Sequence, residues 1–465
     1  MMFTIDEIVQ ITHGKLLRKQ DSFVYSVSTD SRTIQKGDLF IALSGENFDG
    51  HQFIDEVAAK GAGCALVSKD ISTTANITLV KVNDTLKALQ DLASHYRHTL
   101  KTKIVGITGS NGKTTTKFFA HAILSAEFKT FASQKSFNNH IGVPLTLLSL
   151  IPETQIGLVE IGMNHPGEIL NLTRMADPDV SVVTTVGRAH LMDFGTTERI
   201  AHEKTDIYRA ARKECIKVFN LDNPEIEKLL PELKKLGSHL TFSSQDKTAD
   251  IQYELVGMDL NHIAIRGRIH GKEFEEQKIS VFGKQNVTNL MAASGIALAC
   301  GMQPSNIWQA LQKCKTVWGR NMLIDLKSGA KLIFDGYNAN PDSMKALIDN
   351  LASITTAKKK IVIVGDMLEM GDQAEELHEE LGRLVAEKNF DVVWSMGEFS
   401  KSFEAGAKAA GFSKTLFISK AYEESLAVKV ASMVENSDIV VMKGSRGAKL
   451  ERLVPHFSPL NWEAK

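Results

Sequence analysis

The chain has 465 residues, of which 43% are hydrophobic and 23% are charged. This composition is that of an ordinary globular protein, and at ~150 residues per domain the length suggests about three domains. Lys and Arg number 54 and Asp and Glu number 55, so the formal net charge is −1. A chain without a basic excess lacks the charge that holds a nucleic-acid backbone, so we expect no nucleic-acid partner.

The four cysteines are scattered, without a CxxC pair or zinc-finger spacing, and we expect them to be buried and reduced. The first ten residues, MMFTIDEIVQ, carry acidic residues where a secretory signal would carry basic ones. The longest apolar stretch, near residues 141–151, is interrupted by Pro144 and is too short to span a bilayer. The sequence therefore predicts a cytoplasmic protein with no membrane insertion.

Residues 1–100 are predicted to form a mixed α/β unit. A short apolar strand is expected at 38–43, and FIDEVAAKGAGCALV predicts a helix that ends at Gly61 and leads into a strand. The polar and basic stretch SHYRHTLKTK is predicted to be a linker into the second unit.

Residues 101–317 show strand, turn and helix in alternation, which predicts a parallel sheet covered by helices on both faces. The strand KIVGIT is followed by the turn GSNGKTTT and the helix KFFAHAILSAEF, and further strands are expected at GLVEIGM and VSVVTTVG. The more polar stretch 220–284 is interpreted as peripheral strands and helices at the edge of this unit.

Residues 318–465 predict a third α/β unit with a Rossmann-like open sheet. Its expected strands are KLIFDGY, KKIVIVGD, DVVWSMG and DIVVMKGS, with helices such as NPDSMKALIDNLAS between them. The predicted fold class is therefore α/β with three domains. They are a mixed α/β N-terminal domain, a central P-loop ATPase domain with a parallel sheet, and a C-terminal Rossmann-like domain.

The sharpest functional motif is GSNGKTT at 109–115, between a predicted strand and a predicted helix. Backbone N–H groups in such a turn cradle phosphate oxygens, and the helix N-terminus adds a favourable dipole. Lys113 is placed to reach the β- and γ-phosphates, and the Thr114 hydroxyl is placed to bind Mg²⁺. Ile107 stands where the full Walker motif has glycine, so the match is to the shorter GxxGK[ST] form. The alternative is a structural Gly-rich turn.

Three carboxylates follow predicted strands: Glu160, Asp335 and Asp366. The carboxyl ends of parallel strands face the ligand crevice of an open sheet. A carboxylate on another strand beside a P-loop is the usual second protein ligand of Mg²⁺, and Glu160 is the candidate. Each carboxylate has the alternative of an ordinary loop residue or helix cap.

Four more polar residues are candidates with a plainer alternative. His190, after the strand VSVVTTVG, is interpreted either as a functional imidazole or as an ordinary hydrogen-bonded histidine. Asn138 and Asn139, in the loop SFNNHIGVP, either bind phosphate or substrate or form a turn. On the residue pattern alone, Lys204 is a solvated helix lysine.

Nearly the whole chain resembles the Mur ligase family. The motifs that carry the resemblance are STDSR, GENFDGH, ITGSNGKTTTK, FNNHIGVPLTLL, EIGMNHPGEI, GRAHLMDFG, NVTNLMAA, WGR, FDGYNANPDSM, GDMLEMGDQAEELH and KGSRGAKLE. The resemblance implies that residues 1–100 bind the UDP end of a sugar nucleotide. It also implies that residues 101–317 bind ATP and that residues 318–465 receive the amine substrate.

The resemblance implies ATP-dependent amide formation through an acyl phosphate. It is strongest with the members that join D-alanyl-D-alanine to UDP-N-acetylmuramoyl-tripeptide, a step that makes a peptidoglycan precursor. A DNPR-type segment for diaminopimelate is absent, and FDGYNANPDSM stands in that region. The third residue of the tripeptide is left open between lysine and diaminopimelate. ATP and two Mg²⁺ ions are the implied cofactors, and we expect a monomer.

Residue roles follow from the same resemblance. The implied catalytic residues are Lys113, Glu160, His190, Lys204 and Arg320. Thr114 and Glu160 match ligands of the first Mg²⁺, while His190 and a carbamylated Lys204 match positions at the second. The implied nucleotide-binding set is Gly109, Ser110, Asn111, Gly112, Lys113, Thr114, Thr115, Asn286, Asn289, Arg320 and Asp335. The implied substrate-binding set is Asp30, Ser31, Arg32, Asn138, Asn139, Tyr337, Asn338 and Asn340.

Other functions stay open at this point. A ligase of the same family would differ in its substrate if it added a single amino acid or recycled a free peptide. A folylpolyglutamate synthase-like ligase is disfavoured, because the STDSR and FDGH region fits a UDP-sugar domain. A nucleotide-gated binding protein or a plain P-loop phosphotransferase would bind ATP without forming an amide and would need no modified lysine.

Overall fold

The computed structural model describes residues 1–133, 136–388 and 390–463, and these residues form three large sheets of five, nine and six strands. Each sheet lies within one of the three predicted units, which confirms the α/β, three-domain fold class. The four cysteines are buried and free, as expected. Within the described ranges, no helix has both the length and the apolar character needed to cross a membrane.

The N-terminal domain is a small mixed sheet with helices packed against it. Its elements are β1 (Phe3–Thr4), α1 (Ile5–Thr12), β2 (Lys15–Arg18), β3 (Phe23–Val24), β4 (Val27–Ser28), β5 (Leu39–Ile41), β6 (Ser44–Gly45), β7 (Phe48–Asp49), α2 (Ile54–Ala59), β8 (Cys64–Val67), β9 (Thr78–Lys81) and α3 (Thr85–Thr99). The sheet order is β2-β9-β8-β5-β4, parallel except for the β2–β9 pair. The strand expected at 38–43 is present but shorter.

The central domain carries the largest sheet. Its elements are β10 (Lys103–Thr108), α4 (Lys113–Leu124), β11 (Thr130–Ala132), α5 (Gly142–Leu148), β12 (Ile156–Glu160), α6 (Glu168–Ala176), β13 (Val180–Val183), α7 (Leu191–Phe194), α8 (Thr197–Arg209), β14 (Ile216–Asn220), α9 (Pro224–Leu233), β15 (His239–Ser243), β16 (Ile251–Met258), β17 (Ile263–Ile269), β18 (Lys272–Ile279), α10 (Gln285–Ala299) and α11 (Pro304–Ala310).

The strand order of this sheet is β11-β12-β10-β13-β14-β15-β16-β17-β18. The strands from β11 to β16 run parallel, and β16 to β18 form an antiparallel edge. The edge is built from the polar stretch 220–284, so its peripheral placement is confirmed. The inner strand β10 is buried on both faces, which is why it is almost continuously apolar.

The predicted linker SHYRHTLKTK is wrong for residues 94–99, because they continue α3 to Thr99. Arg97 is buried, and its guanidinium donates at 3.0 Å each to the carbonyls of Ala176 and Asp177 and to the carboxylate of Asp179. The basic residue that suggested a solvated linker is instead fixed against the central domain. The N-terminal domain is thereby attached through a packed helix.

The C-terminal domain is an open sheet with helices between its strands. Its elements are β19 (Met322–Asp325), β20 (Lys331–Asp335), α12 (Pro341–Ser353), β21 (Lys360–Gly365), α13 (Ala374–Glu387), β22 (Val392–Met396), α14 (Ser400–Ala409), β23 (Thr415–Ser419), α15 (Glu424–Ser432) and β24 (Ile439–Lys443). The order is β19-β20-β24-β21-β22-β23, with only the β19–β20 pair antiparallel among these strands. The Rossmann-like expectation is therefore confirmed for the parallel part.

Candidate active site between the central and C-terminal domains

Two adjoining cavities lie between the central and C-terminal domains. The larger has a volume of about 340 Å³ and the smaller about 230 Å³. They share three residues, Lys113, Arg320 and Asn338. The larger cavity extends from the loop 110–115 to the start of α10, while the smaller one extends toward Glu160 and His190. Both domains therefore contribute polar groups to one continuous site.

The loop between β10 and α4 has the geometry of an anion-binding turn. Gly109 has a φ of +148°, and a Cβ atom there would lie 2.0 Å from Oγ1 of Thr184. Gly112 directly precedes α4 with a φ of +83°, and no side chain in the described part of the chain caps this helix end. The first N–H groups of an uncapped helix are free to bind a phosphate. Lys113 folds back over the loop, with its Nζ 2.6 Å from the carbonyl of Gly109.

A buried cluster surrounds Glu160, which is 1% exposed at the end of β12. Oγ1 of Thr114 donates to its carboxylate at 3.1 Å, and Nδ2 of Asn138 donates at 3.0 Å. Nζ of Lys117, one helical turn beyond Lys113, lies 3.5 Å from Oε2. A hydroxyl and a carboxylate that converge in this way present the oxygen ligands that Mg²⁺ prefers.

The second group of predicted site residues consists of His190 and Lys204. His190, which precedes α7, has its Nδ1 atom 2.8 Å from Oε2 of Glu369 in the C-terminal domain. Lys204 of α8 is completely buried, and its Nζ atom has no hydrogen-bond partner among the residues that the structure describes. Burial, reinforced by the charge of Lys113, holds the pKa of Lys204 well below its usual value. A neutral, unpartnered amine is the form of lysine that reacts with carbon dioxide.

Carboxylate, histidine and cysteine side chains alone do not assemble a metal centre here. Among the residues that the structure describes, no group of three or more such side chains is arranged to hold a metal ion. A cation at this site would therefore need further oxygen ligands, such as the Thr114 hydroxyl, a modified Lys204 or substrate phosphates. The donor set described above fits that requirement.

The C-terminal side of the larger cavity carries buried charges at the ends of two neighbouring strands. Asp335 ends β20 and Lys443 ends β24, and Nζ of Lys443 lies 2.5 Å from Oδ2 of Asp335. Nζ of Lys443 also donates to the carbonyl of Asn338 at 3.1 Å. The Arg320 guanidinium lies 4.4 Å from the centre of the Tyr337 ring. Burial lowers the pKa of Lys443, and the Asp335 carboxylate opposes this effect.

Most of the residues singled out from the sequence lie in or beside the two cavities. The residues that line them are Ser110, Asn111, Gly112, Lys113, Thr114, Thr115, Asn138, Asn139, Glu160, His190, Asn286, Asn289, Arg320, Asp335, Tyr337 and Asn338. Asn340 is hydrogen-bonded to Asn111 beside the larger cavity. Of the two interpretations of Asn139, the structure supports the turn, because its Oδ1 atom accepts from the N–H groups of Ile141 and Gly142.

Asp30, Ser31 and Arg32 are not brought to these cavities. They follow β4 in the N-terminal domain, where the Arg32 guanidinium donates to both carboxylate oxygens of Asp30. This pair lowers the pKa of Asp30 to about 2. The three residues for which the resemblance implies uridine-nucleotide binding therefore lie on a different part of the molecule from the turn at 109–115.

Four site residues were missed in the sequence: Lys117, Asp342, Glu369 and Lys443. Lys443 follows a buried strand, so the rule that selected Glu160 and Asp335 would have found it if applied to basic residues. Asp342 lies in the first turn of α12 and accepts the N–H of Arg188 at 2.7 Å. No local signal marks Glu369, since its role depends on contact with the other domain.

Comparison with known proteins agrees with this architecture. Three family models match the chain: the Mur ligase middle domain over residues 107–297, the Mur ligase glutamate ligase domain over 319–446, and the Mur ligase family catalytic domain over 23–97. The UDP-N-acetylmuramoyl-tripeptide–D-alanyl-D-alanine ligase of Bacillus subtilis is 34% identical over 98% of this chain and 99% of its own length.

Solved structures show the same similarity. A crystal structure of MurF from Acinetobacter baumannii has a TM-score of 0.88 and 29% identity, covering 98% of each chain. The MurF ligase of Thermotoga maritima in complex with ADP has a TM-score of 0.82 and 28% identity, covering 93% of this chain and 97% of that one. With three family domains in order and a near-full-length relative at 34% identity, this chain belongs to the Mur ligase family.

Proposed function

We propose that this protein is an ATP-dependent amide ligase that joins D-alanyl-D-alanine to UDP-N-acetylmuramoyl-tripeptide, giving the pentapeptide precursor of peptidoglycan. The observation that carries the proposal is the meeting of the turn 109–115 with Arg320 and Asp335 across one cavity. A site divided between two domains brings a nucleotide and a second reactant together and excludes water when the domains are closed. The near-full-length similarity to ligases of this specificity supports the choice of substrates.

ATP is proposed to lie along the larger cavity. The free N–H groups at the start of α4 and the ammonium of Lys113 hold the phosphates. Asn286 and Asn289, both at least 95% buried at the start of α10, line the same cavity and are proposed to lie near the base. Asp335 and Arg320 reach the nucleotide from the C-terminal domain, with Asp335 held in place by Lys443.

Two Mg²⁺ ions are proposed to complete the site. Thr114 and Glu160 would hold the first, and the 3.1 Å contact between their oxygens brings the two ligands together. His190 and Lys204 would hold the second. When bound, Mg²⁺ neutralises charge on the phosphate oxygens and lowers the barrier to phosphoryl transfer.

Lys204 is proposed to act as a carbamate. Its neutral amine attacks carbon dioxide, a C–N bond forms, and one proton is released to solvent. The unpartnered Nζ atom fits this modification, because a buried polar atom without a hydrogen bond costs free energy, and the oxygens of the carbamate would hold a cation.

The reaction is proposed to proceed in two steps. A carboxylate oxygen of the tripeptide attacks the γ-phosphorus, and ADP leaves. The free amine of D-alanyl-D-alanine then attacks the carbonyl of the acyl phosphate, an amide bond forms, and phosphate leaves with loss of a proton from nitrogen. Lys113 and Arg320, at the junction of the two cavities, stabilise the charge that develops in both steps.

The domain roles are proposed with boundaries at 1–100, 101–317 and 318–465. The end of α3 at Thr99 and the gap between α11 and β19 support these limits. The first domain would bind the UDP end through Asp30, Ser31 and Arg32. Since all three domains with assigned roles belong to one chain, we propose a monomer acting in the cytoplasm, where its nucleotide substrates are made.

The direct test is to incubate the protein with ATP, MgCl₂, D-alanyl-D-alanine and UDP-N-acetylmuramoyl-tripeptide in its lysine and diaminopimelate forms, and to weigh the products. A product heavier by the dipeptide less one water is expected with at least one tripeptide. Single amino acids and a free tripeptide serve as alternative substrates. The proposal is overturned if micromolar protein yields no such adduct, or if a single amino acid is joined in preference to the dipeptide.

A further inference from the structure

We infer that Glu369 is a positioning residue of the active centre, which orients His190 when the C-terminal domain is docked on the central domain. The inference rests on the proposed function, which places His190 beside a magnesium ion. It assigns the C-terminal domain a second task. Besides contacting the nucleotide, that domain would set the orientation and tautomer of a histidine in the other domain.

The contact places a carboxylate close to a histidine nitrogen, with the ring N–H not aimed directly at the oxygen, so the carboxylate acts through its charge. Oε2 of Glu369 lies 2.8 Å from Nδ1 of His190, and the His190 side chain is only 15% exposed. A carboxylate beside Nδ1 favours the tautomer that carries its proton there, which leaves the lone pair of Nε2 free for a cation. Metal-binding histidines are commonly oriented by such a carboxylate.

Both partners also have an uncommon backbone conformation. His190 has a φ of +61° and Glu369 a φ of +65°, so both are left-handed residues that are not glycine. Such residues cost free energy and are concentrated at functional sites, where the surrounding structure holds them in place. Two residues with strained backbones therefore meet in one contact across the domain boundary.

The loop that carries Glu369 is anchored on both sides. Its own domain holds it through the N–H of Leu368, which donates to Oγ of Ser445 at 3.0 Å. The central domain holds it through the N–H of Met192, which donates to the carbonyl of Glu369 at 3.2 Å. Gly371 lies directly against Met192, where a Cβ atom would approach its Cα atom to 3.2 Å. The carboxylate is thus fixed relative to His190 while the domains are docked.

A second ion pair across the same boundary supplies a matched control. Oε2 of Glu380 lies 3.2 Å from NH1 of Arg188, and the Glu380 side chain is 46% exposed, close to the 51% of Glu369. Neither Glu380 nor the Arg188–Glu380 contact involves His190. Removing each carboxylate therefore separates the orientation of His190 from a general loss of charge pairs between the domains.

The experiment compares Glu369→Gln and Glu369→Asn with Glu380→Gln in the full-length protein. We expect both Glu369 variants to lower kcat by about 10- to 100-fold and to weaken Mn²⁺ binding in the presence of ADP by about tenfold, the usual effect of losing such a carboxylate. Electron paramagnetic resonance of free Mn²⁺ gives the binding constant without turnover. Glu380→Gln is expected to leave both values near wild type.

Each other outcome overturns the inference. If Glu369→Gln and Glu380→Gln lose equal amounts of kcat and Mn²⁺ affinity, the Glu369–His190 contact serves only to dock the domains. If kcat falls while Mn²⁺ binding is unchanged, Glu369 does not act through His190. The asparagine variant tolerates a left-handed backbone, so it remains informative if the glutamine variant does not fold. If wild type makes no amide, the proposed function fails instead, and the Mn²⁺ comparison still tests Glu369.

Discussion

Asn111 and Asn340 exchange two side-chain hydrogen bonds across the boundary between the central and C-terminal domains. Nδ2 of Asn340 donates to Oδ1 of Asn111 at 2.8 Å, and Nδ2 of Asn111 donates back at 3.3 Å. Asn340 also caps α12, because its Oδ1 accepts the N–H of Ser343 at 2.9 Å. One side chain therefore both begins a helix of the C-terminal domain and connects it to the phosphate-binding turn.

The two tasks of Asn340 are separable by substitution. Serine keeps a helix cap but does not reach Asn111, whereas alanine loses both interactions. We expect Asn340→Ser and Asn340→Ala to raise the KM for ATP by about tenfold. This corresponds to a loss of about 1.4 kcal/mol for the two hydrogen bonds with Asn111. Only Asn340→Ala should lower the thermal unfolding midpoint, by a few degrees for a cap of about 1 kcal/mol. A wild-type KM in Asn340→Ser would contradict this prediction.

Lys204 is expected to be essential as a carbamate. Lys204→Ala should reduce ligase activity by at least about 100-fold, because it removes a buried anion that balances a cation. Short carboxylic acids such as formate and acetate should restore part of the activity, since they enter the space left by the side chain. Activity measured against acid concentration checks this, with Lys228→Ala, an exposed helix lysine, as control. Full activity of Lys204→Ala without added acid would contradict the role.

When Lys204 is not modified, its amine should also make the free energy of unfolding depend on pH. Burial holds the pKa of Lys204 well below its usual value, so above its folded-state pKa the unfolded chain binds one proton more than the folded chain. Stability then rises with pH until the unfolded-state pKa of about 10.4, by up to about 1.4 kcal/mol per pH unit. In CO₂-free buffer, Lys204→Met should flatten this rise in denaturant unfolding experiments. Parallel curves for the two proteins would show that Lys204 does not titrate in this way.

The sequence predicts most of the fold, because each parallel strand is a short buried run between turn signals. The inner strands of residues 103–108 and 360–365 are almost continuously apolar, and a glycine follows the first and ends the second. The linker prediction is wrong at residues 94–99, because a polar stretch does not have to be an exposed one. Arg97 satisfies its guanidinium in a buried contact with another domain, and a local pattern carries no information about that partner.

The candidate site was predictable where it follows strand ends and turns, and not where it depends on domain docking. Glu160 ends β12, and Thr114 lies in the first turn of the helix that follows the neighbouring strand β10, so topology alone brings them together. Glu369 meets His190 only because two separate sheets face each other, and Lys204 gained its interpretation from family resemblance. Burial of the Lys204 amine is a tertiary property that an amphipathic helix pattern does not show.

Arg97 should contribute more to stability than to catalysis. Arg97→Met removes the guanidinium that donates to the carbonyl of Ala176 and to Asp179, and leaves the carbonyl of Asp177 with Arg212 alone, which we expect to cost about 2 kcal/mol or more. The thermal unfolding midpoint should fall, while the KM for ATP stays the same, because Arg97 lines neither cavity. His98→Ala, at a neighbouring and 60% exposed side chain, is the control. An unchanged midpoint in Arg97→Met would contradict the fixed junction.

We expect nucleotide binding to require glycine at position 112 for two reasons. The backbone there is left-handed, and a neighbouring side chain leaves no room for a Cβ atom. Gly112 and Gly167 both begin a helix in the left-handed conformation, with φ of +83° and +85°. A Cβ atom at Gly112 would lie 2.2 Å from Oδ1 of Asn289, whereas none of the described residues would lie within 4 Å of a Cβ atom at Gly167. The two alanine variants therefore share backbone strain and differ in the contact.

We expect Gly112→Ala to weaken ADP binding by at least about tenfold in calorimetry, because Asn289 must move away from the turn and from its bond to Asn286. Gly167→Ala should bind ADP like wild type, with a similar small loss of stability from the strained backbone. If both variants lose affinity equally, strain at a helix start explains the effect. If neither does, the turn at 109–115 does not hold the nucleotide, and the placement of ATP in the larger cavity is wrong.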